Sequence, residues 1–316
     1  HRIQFSNLTL HDKINVAKCH LLPEIYKTVG FDSKSLTIDD ESLKFIIENY
    51  TWEAGARKLK EKLFEIVREI NLRNICKQNI EYPFIVTEDF ITKDIFSDKP
   101  PIIVNTISIC PRIGLVNGLY ATATGLGGIT VIETFEIPSD SKFNLELTGQ
   151  QGDVMKESMK VARTVAWNIL PNKVKQKLYK KCDEKGNFGI HIHCPEGGTP
   201  KDGPSAGGAI TLAIISLLSE VPINNTIGIT GEIDLNGSIR AIGGLSSKVN
   251  GAKKAGVKTV LCPRQNKHDV DKIYEDEYTP IDDEFKIIMV DNIWDILKYS
   301  LCDNNLKFNN YTLERE

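Results

Sequence analysis

The sequence predicts an α+β chain, helical at its N-terminal end and mixed from about residue 111 onward. Three observations carry that reading. Over residues 1–75 apolar side chains recur near helical spacing. From Ile113 the pattern changes to short β-branched or alternating apolar runs punctuated by glycine. Among those runs lies Gly197-Gly198-Thr199-Pro200-Lys201-Asp202-Gly203-Pro204-Ser205-Ala206-Gly207-Gly208, a Gly/Pro-rich turn that opens directly into the apolar stretch from Ala209 to Leu218. Ser205 therefore stands at or just before a helix N-terminus, where backbone N–H groups lack partners. Free N–H groups beside a hydroxyl suit acyl chemistry, because an attacked carbonyl becomes an oxyanion that must be held.

The elements follow in order. Leu8 to Lys13 lead into a helix over Ile14–Leu22, which Pro23 punctuates. Leu36-Thr37-Ile38-Asp39-Asp40-Glu41 opens a second helix, its acidic residues suited to a helix start. Thr51 is the expected N-cap of a third, longer helix, with Leu59, Leu63, Ile66, Val67 and Ile70 on one stripe. Tyr82 to Arg112 form a less periodic connector broken by Lys99-Pro100-Pro101, and the domain boundary falls near 97–110. Strands are expected over 113–123, 129–135 and 143–147, an amphipathic helix over about 149–170, and a strand over 189–195. Further strands are expected over 227–234, 258–262 and 285–290, with a closing helix over 292–299 and a loose polar tail from Asp303.

The serine stretch lacks an adjacent base; His191 and His193 are the nearest histidines. A second candidate lies 43 residues downstream in Ala241-Ile242-Gly243-Gly244-Leu245-Ser246-Ser247-Lys248. A lysine in the first turn of a helix sits at the positive end of its dipole, and burial also disfavours the ammonium. A neutral lysine can take a serine proton, and Ser-Lys is a variant of triad logic. His191 and His193 share one strand face. They are either a His-x-His metal pair, for which no further ligands are evident, or residues that orient substrate or hold neighbouring backbone. Asp202 is either a turn residue or a partner of Lys248; that pairing would favour the charged lysine and mark a resting state. Thr230 is a strand residue whose hydroxyl could direct the lysine. Arg57, on its own, is a solvated or salt-bridged helix residue.

Composition narrows the class. The chain has 316 residues, enough for about two domains and a sizeable core, with 41% hydrophobic and 26% charged residues. A net charge of -3 does not indicate nucleic acid as a partner. Cysteines 19, 76, 110, 182, 194, 262 and 302 form no close pair, which fits reduced thiols inside a cell. No 18-residue apolar run and no signal peptide are visible, although His1 reads like a cut end from which a transit peptide could be lost, and Glu314-Arg315-Glu316 is not a peroxisomal address.

Four ordered pieces of the sequence resemble the proteolytic domain of Lon, the ATP-dependent serine protease family. They are Pro195-Glu196-Gly197, Thr199 to Gly207, Thr230-Gly231-Glu232-Ile233, and Ile242-Gly243-Gly244-Leu245 with Lys248. Gly149 to Ser158 also matches, with Asp153 where glutamate is common. His20 to Pro23, Leu36 to Asp40 and Tyr50 to Arg57 resemble the small helical lid of the Lon ATPase. The resemblance implies a helical AAA+ lid over 1–96, a linker over 97–110, a proteolytic domain over 111–302 resembling the second domain of ribosomal protein S5, and a tail over 303–316. It implies that Ser205 and Lys248 are the catalytic dyad, that Thr230 lies near it, that Gly203, Pro204 and Ala206 form the oxyanion turn, and that Arg57 senses the nucleotide γ-phosphate. No metal and no cofactor are expected for peptide hydrolysis. ATP and Mg belong to the full-length protein, because no G-x-x-x-x-G-K-[ST] loop occurs here. The resemblance further implies unfolded-protein or peptide substrates, a homo-hexamer, a quality-control role, and residence in cytoplasm or mitochondrial matrix. Ala121 to Gly128 departs from the family: Ala-Thr replaces Trp-Thr and the step to the paired glycines is one residue longer, which alters the expected cleft. Two other readings stand beside this one. The first is a catalytically silent Lon-like module for ring assembly or partner binding. The second is a phosphate-binding loop of a kinase-like fold.

Overall fold

The computed structural model describes residues 8–51, 53, 55–76, 83–102, 105–122, 125–195, 201–276, 279–303 and 306–309. The chain divides into two compact units, one made of residues up to 104 together with 122–126, the other of 105–121 and 127 onward.

The first unit is helical. It contains α1 (Leu10–Val16), α2 (Leu22–Val29), α3 (Asp40–Tyr50), α4 (Arg57–Ile75) and the short α5 (Glu88–Phe90), with a parallel pair of two-residue strands, β1 (Leu36–Thr37) and β2 (Phe84–Ile85). The stripe expected on α4 is its core face: Leu59, Leu63, Ile66, Val67 and Ile70 are all fully buried, packed with Leu43, Ile46 and Phe96. Each such side chain contributes roughly 1.5–3 kcal/mol of burial.

Three local expectations fail here. Pro23 does not stop the first helix. A π-helical turn at Ala17–Leu21 joins α1 to α2, and Pro23 falls in the first turn of α2, where a missing N–H is tolerated. Leu36–Thr37 is strand, and α3 starts only after Asp39, which caps it by accepting from Ser42 N at 2.7 Å. Thr51 does not cap α4. It ends α3, donating to Ile47 O at 2.6 Å, and α4 is capped instead by Glu53 Oε1 accepting from Leu59 N at 2.8 Å. Part of the connector also folds into this unit, since Val86, Ile91 and Ile95 join its core.

The second unit is a mixed seven-stranded sheet packed on both faces. Its strands are β3 (Leu115–Ala121), β4 (Gly127–Pro138), β5 (Leu145–Thr148), β6 (Phe188–His193), β7 (Ile227–Ile229), β10 (Thr259–Pro263) and β11 (Lys286–Val290). Their order is β11-β10-β7-β3-β4-β6-β5, with β3-β4 and β4-β6 antiparallel and the rest parallel. A small hairpin, β8 (Glu232–Ile233) and β9 (Ile239–Arg240), follows β7.

Helices α6 (Asp153–Ile169), α7 (Asn172–Lys185), α8 (Gly207–Ser219) and α11 (Ile293–Ser300) bury one sheet face. Helices α9 (Leu245–Lys254) and α10 (Lys267–Glu275) bury part of the other. Because α8 is apolar all round, it can only be an interior helix, and every residue from Gly207 to Ser216 is buried. The expected loose tail is docked at 306–309: Asn309 donates to Ile169 O and Leu170 O, and Leu306 and Phe308 pack on the core. Among the described residues no helix is long and apolar enough to cross a membrane.

Candidate active site

Ser205 sits in a single 3-10 turn, Pro204–Ala206, that feeds α8. Gly203 enters this turn at φ 121° and ψ 153°, a conformation for which glycine is suited. The turn is stitched to the end of β7: Gly231 N donates to Ser205 O at 2.7 Å and Gly208 N to Gly231 O at 3.0 Å. Gly207 permits this closeness, because a Cβ there would meet Ser158 Oγ and Ile233 Cγ2, each at 2.9 Å.

Of the residues expected to form the oxyanion turn, two cannot donate. Pro204 has no N–H, and the Gly203 N–H is engaged by Asp202 Oδ1 at 2.9 Å. Ala206 supports the turn and leads into α8. The N–H of Ser205 itself has no acceptor among the described residues. It is the donor that the turn leaves available.

Lys248 lies in the first turn of α9 and is 4% exposed. Its Nζ donates to the buried Thr230 Oγ1 at 3.1 Å, and no carboxylate pairs with it among the described residues. Burial without a counter-charge lowers its pKa from the ordinary 10.5 to about 8. Thr230 Oγ1 in turn points its proton toward Ser205 O at 3.5 Å. A hydroxyl that donates toward a carbonyl must accept from the lysine, so the lysine's remaining hydrogen-bonding capacity is directed elsewhere. Among the described residues the Ser205 hydroxyl has no hydrogen bond, to Lys248 or to any other group. Such contacts often tighten only when substrate is bound.

Glycines fix the helix that carries the lysine. A Cβ on Gly127 would lie 1.9 Å from Ser247 O, and one on Gly251 would lie 2.1 Å from Gly127 C. Thus α9 rests backbone to backbone on the start of β4. Gly127, expected to shape the cleft, is a seat for α9. Ala123 and Thr124 of that altered loop lie outside the described residues, as do residues 196–200 of the serine stretch.

Asp202 does not pair with Lys248. Its Oδ1 accepts from Met155 N at 3.0 Å, capping α6 from 47 residues away, and a Cβ on Gly152 would collide with its carboxyl carbon at 2.3 Å. An acidic cap is well placed at the positive end of the α6 dipole. The neighbouring backbone reinforces it, with Gly152 N donating to Lys201 O at 2.7 Å and Lys201 N to Gln150 O at 3.0 Å. Gly149–Gly152 is therefore the platform of the serine loop, a role the sequence pattern did not reveal.

His191 and His193 both reach the hydroxyl of Thr148, Nε2 at 2.9 Å and Nδ1 at 2.7 Å. The hydroxyl has a single proton, so at least one ring donates to it, and the pair of bonds staples β5 to β6 where the two loops leave the sheet. Among the described residues no group of three or more His, Cys, Asp or Glu could hold a metal ion. Cys194 faces the opposite, buried side, and burial pushes its thiol up to about 11.

Residues 90–303 match the family model of the Lon protease (S16) C-terminal proteolytic domain, and residues 27–82 match the Lon protease AAA+ ATPase lid domain. The chain belongs to the Lon protease family. Curated relatives agree. A Lon protease of Campylobacter jejuni is 38% identical over 95% of this chain and 37% of its own length. One of Methanosarcina barkeri is 36% identical over 95% and 35%, and a Lon protease homolog of Acanthamoeba polyphaga mimivirus is 34% identical over 93% and 34%. The chain spans about a third of the length of these relatives. Within the matched lid, Arg57 begins α4 with its side chain 90% exposed and Glu61 as its partner at 3.4 Å.

Proposed function

We propose that this chain is the lid and endopeptidase portion of an ATP-dependent Lon-type serine protease, with Ser205 as nucleophile and neutral Lys248 as its base. One observation carries the reading. Lys248 is buried, lacks a carboxylate partner among the described residues, titrates at about 8, and is tied through Thr230 to the Ser205 carbonyl. About a tenth of such lysines are neutral at pH 7, a usable fraction for a general base.

Lys248 Nζ takes the Ser205 Oγ proton as Oγ bonds to the scissile carbonyl carbon. The carbonyl oxygen becomes the oxyanion and meets the Ser205 N–H. When the carbon–nitrogen bond breaks, the lysine ammonium returns a proton to the leaving amine, and an ester remains on Ser205. Water gives its proton to Lys248, attacks the ester and releases the acid, and Ser205 recovers its proton. Thr230 orients the lysine. Asp202, with Gly203 and Ala206, shapes the loop, while His191 and His193 hold the strand ends beside it and orient substrate.

In the full-length protein, ATP and Mg would supply the work of unfolding, and the exposed guanidinium of Arg57 is suited to a γ-phosphate. Unfolded or damaged chains are then the substrates, a homo-hexameric ring the assembly, quality control the role, and cytoplasm or mitochondrial matrix the compartment.

A second reading, a silent module used for assembly, draws on the missing Ser205–Lys248 hydrogen bond. Hydrolysis of an unstructured fluorogenic peptide, by this chain and by the full-length protein with ATP, separates the two. Loss of activity in both Ser205→Ala and Lys248→Ala supports the dyad. A silent full-length protein, or activity that survives Ser205→Ala, sinks it.

A further inference from the structure

We infer that Asn266 is a positioning residue for the lysine base, acting through the segment that leads into α9. The inference rests on Lys248 serving as that base. Past β10 the chain makes one 3-10 turn, Arg264–Asn266, before α10. Asn266 is 5% exposed there. Its Oδ1 accepts from Ile242 N at 3.0 Å and its Nδ2 donates to Ile242 O at 2.8 Å, so a side-chain amide imitates one rung of an antiparallel ladder. The second Nδ2 proton goes to Asp269 Oδ2 at 2.7 Å, which fixes which end of the amide is which. Beside it, Gln265 Oε1 accepts from Ala241 N at 3.0 Å. Two consecutive side chains thus hold two consecutive backbone residues across 24 positions of sequence.

What they hold is the approach to Lys248. Gly244 follows at φ 69° as the N-cap of α9 and makes no side-chain cap, and Lys248 N donates to Gly244 O at 3.1 Å. The glycine seat at Gly127 and Gly251 sets how deeply α9 lies on β4. Buried Leu245, Val249 and Ala252 hold the body of the helix in its core, and the chain entering the helix is held separately at Ile242. Asn266 fixes the chain immediately before the first turn, and with it the direction in which Lys248 points toward Thr230. Misplacing a reacting group by about 1 Å can cost roughly 100-fold in rate, so this clamp is a point of control far from the chemistry.

The test is steady-state hydrolysis of an unstructured fluorogenic peptide by the full-length protein across pH, with thermal melts to count folded molecules. The main variant is Asn266→Asp combined with Asp269→Asn. It conserves local charge, keeps the 266–269 hydrogen bond and the acceptor for Ile242 N, and sets a carboxylate oxygen against Ile242 O in place of the donor. The expected result is a loss of about 10-fold or more in kcat per folded molecule, KM within about twofold, and a displaced pH midpoint of kcat/KM. Asn266→Ala should lose more. If kcat and the pH midpoint match the parent per folded molecule, the inference is overturned. If the Asn266 variants do not fold, the exposed Gln265→Ala decides: a smaller loss with a displaced midpoint supports the inference, and an unchanged profile overturns it. Lys248→Ala run alongside isolates the premise, since full activity there would sink the dyad and not the clamp alone.

Discussion

At the scale of single residues, the lysine ties activity and stability to pH in opposite ways. Its folded pKa, about 8, lies below the ordinary 10.5. The folded state therefore resists the proton, and the penalty is fully present below pH 8 and gone above 10.5. That depression corresponds to roughly 3 kcal/mol at neutral pH. Lys248→Met should be inactive yet more stable than the parent at pH 7, by up to about 3 kcal/mol, with the gap closing by pH 10; urea melts at both pH values read this directly. Peptidase activity of the parent should rise through about pH 8. In Thr230→Val the ammonium loses the Thr230 acceptor, so the midpoint should move to lower pH while kcat falls by roughly 10-fold or more. Ser205, Lys248 and Thr230 were legible because a serine, a lysine and a threonine each stand inside a distinctive string. Asp202 was not, because its partner is Met155 N, and nothing local to Asp202 names a helix start 47 positions earlier.

At the scale of elements, placement depends on backbone contacts more than on propensity. The α4 stripe was legible because five apolar residues repeat at one period and all go inside. Thr51 and Pro23 were misread because each carries a strong local signal that a neighbouring turn overrode, a glutamate cap in one case and a π-turn in the other. No element was expected over Lys267–Glu275, yet Val270 and Ile273 suffice to dock it as α10. The seat of α9 yields a sharp expectation. Gly251→Ala would drive a methyl into Gly127, and backbone cannot move aside as a flexible side chain can. We expect a destabilisation of about 1–3 kcal/mol by chemical melt and a larger proportional loss of peptidase rate. Asp202→Ala, removing the α6 cap, should cost about 1 kcal/mol.

At the scale of the molecule, the two units have separate cores, Leu43 to Ile70 and their neighbours in one, the two faces of the seven-stranded sheet in the other. Separate cores permit separate unfolding. Leu63→Ala should lower protection of the lid amides in hydrogen exchange, by about 2–5 kcal/mol of opening free energy, and leave α8 amides unchanged. The switch of period near residue 111 precedes the first strand of the sheet at Leu115, whereas the docking of Asn309 on Ile169 and Leu170 had no sequence signal at all. The glycine seat carries one more consequence. Because α9 leans on main chain at Gly127 while its N-cap Gly244 abuts the Ala121 side chain, the seat of the helix is laid down on either side of residues 122–126. Residues between those two supports can change in number or side chain while both supports stay. Variation in that loop and the placement of Lys248 are in this way separable.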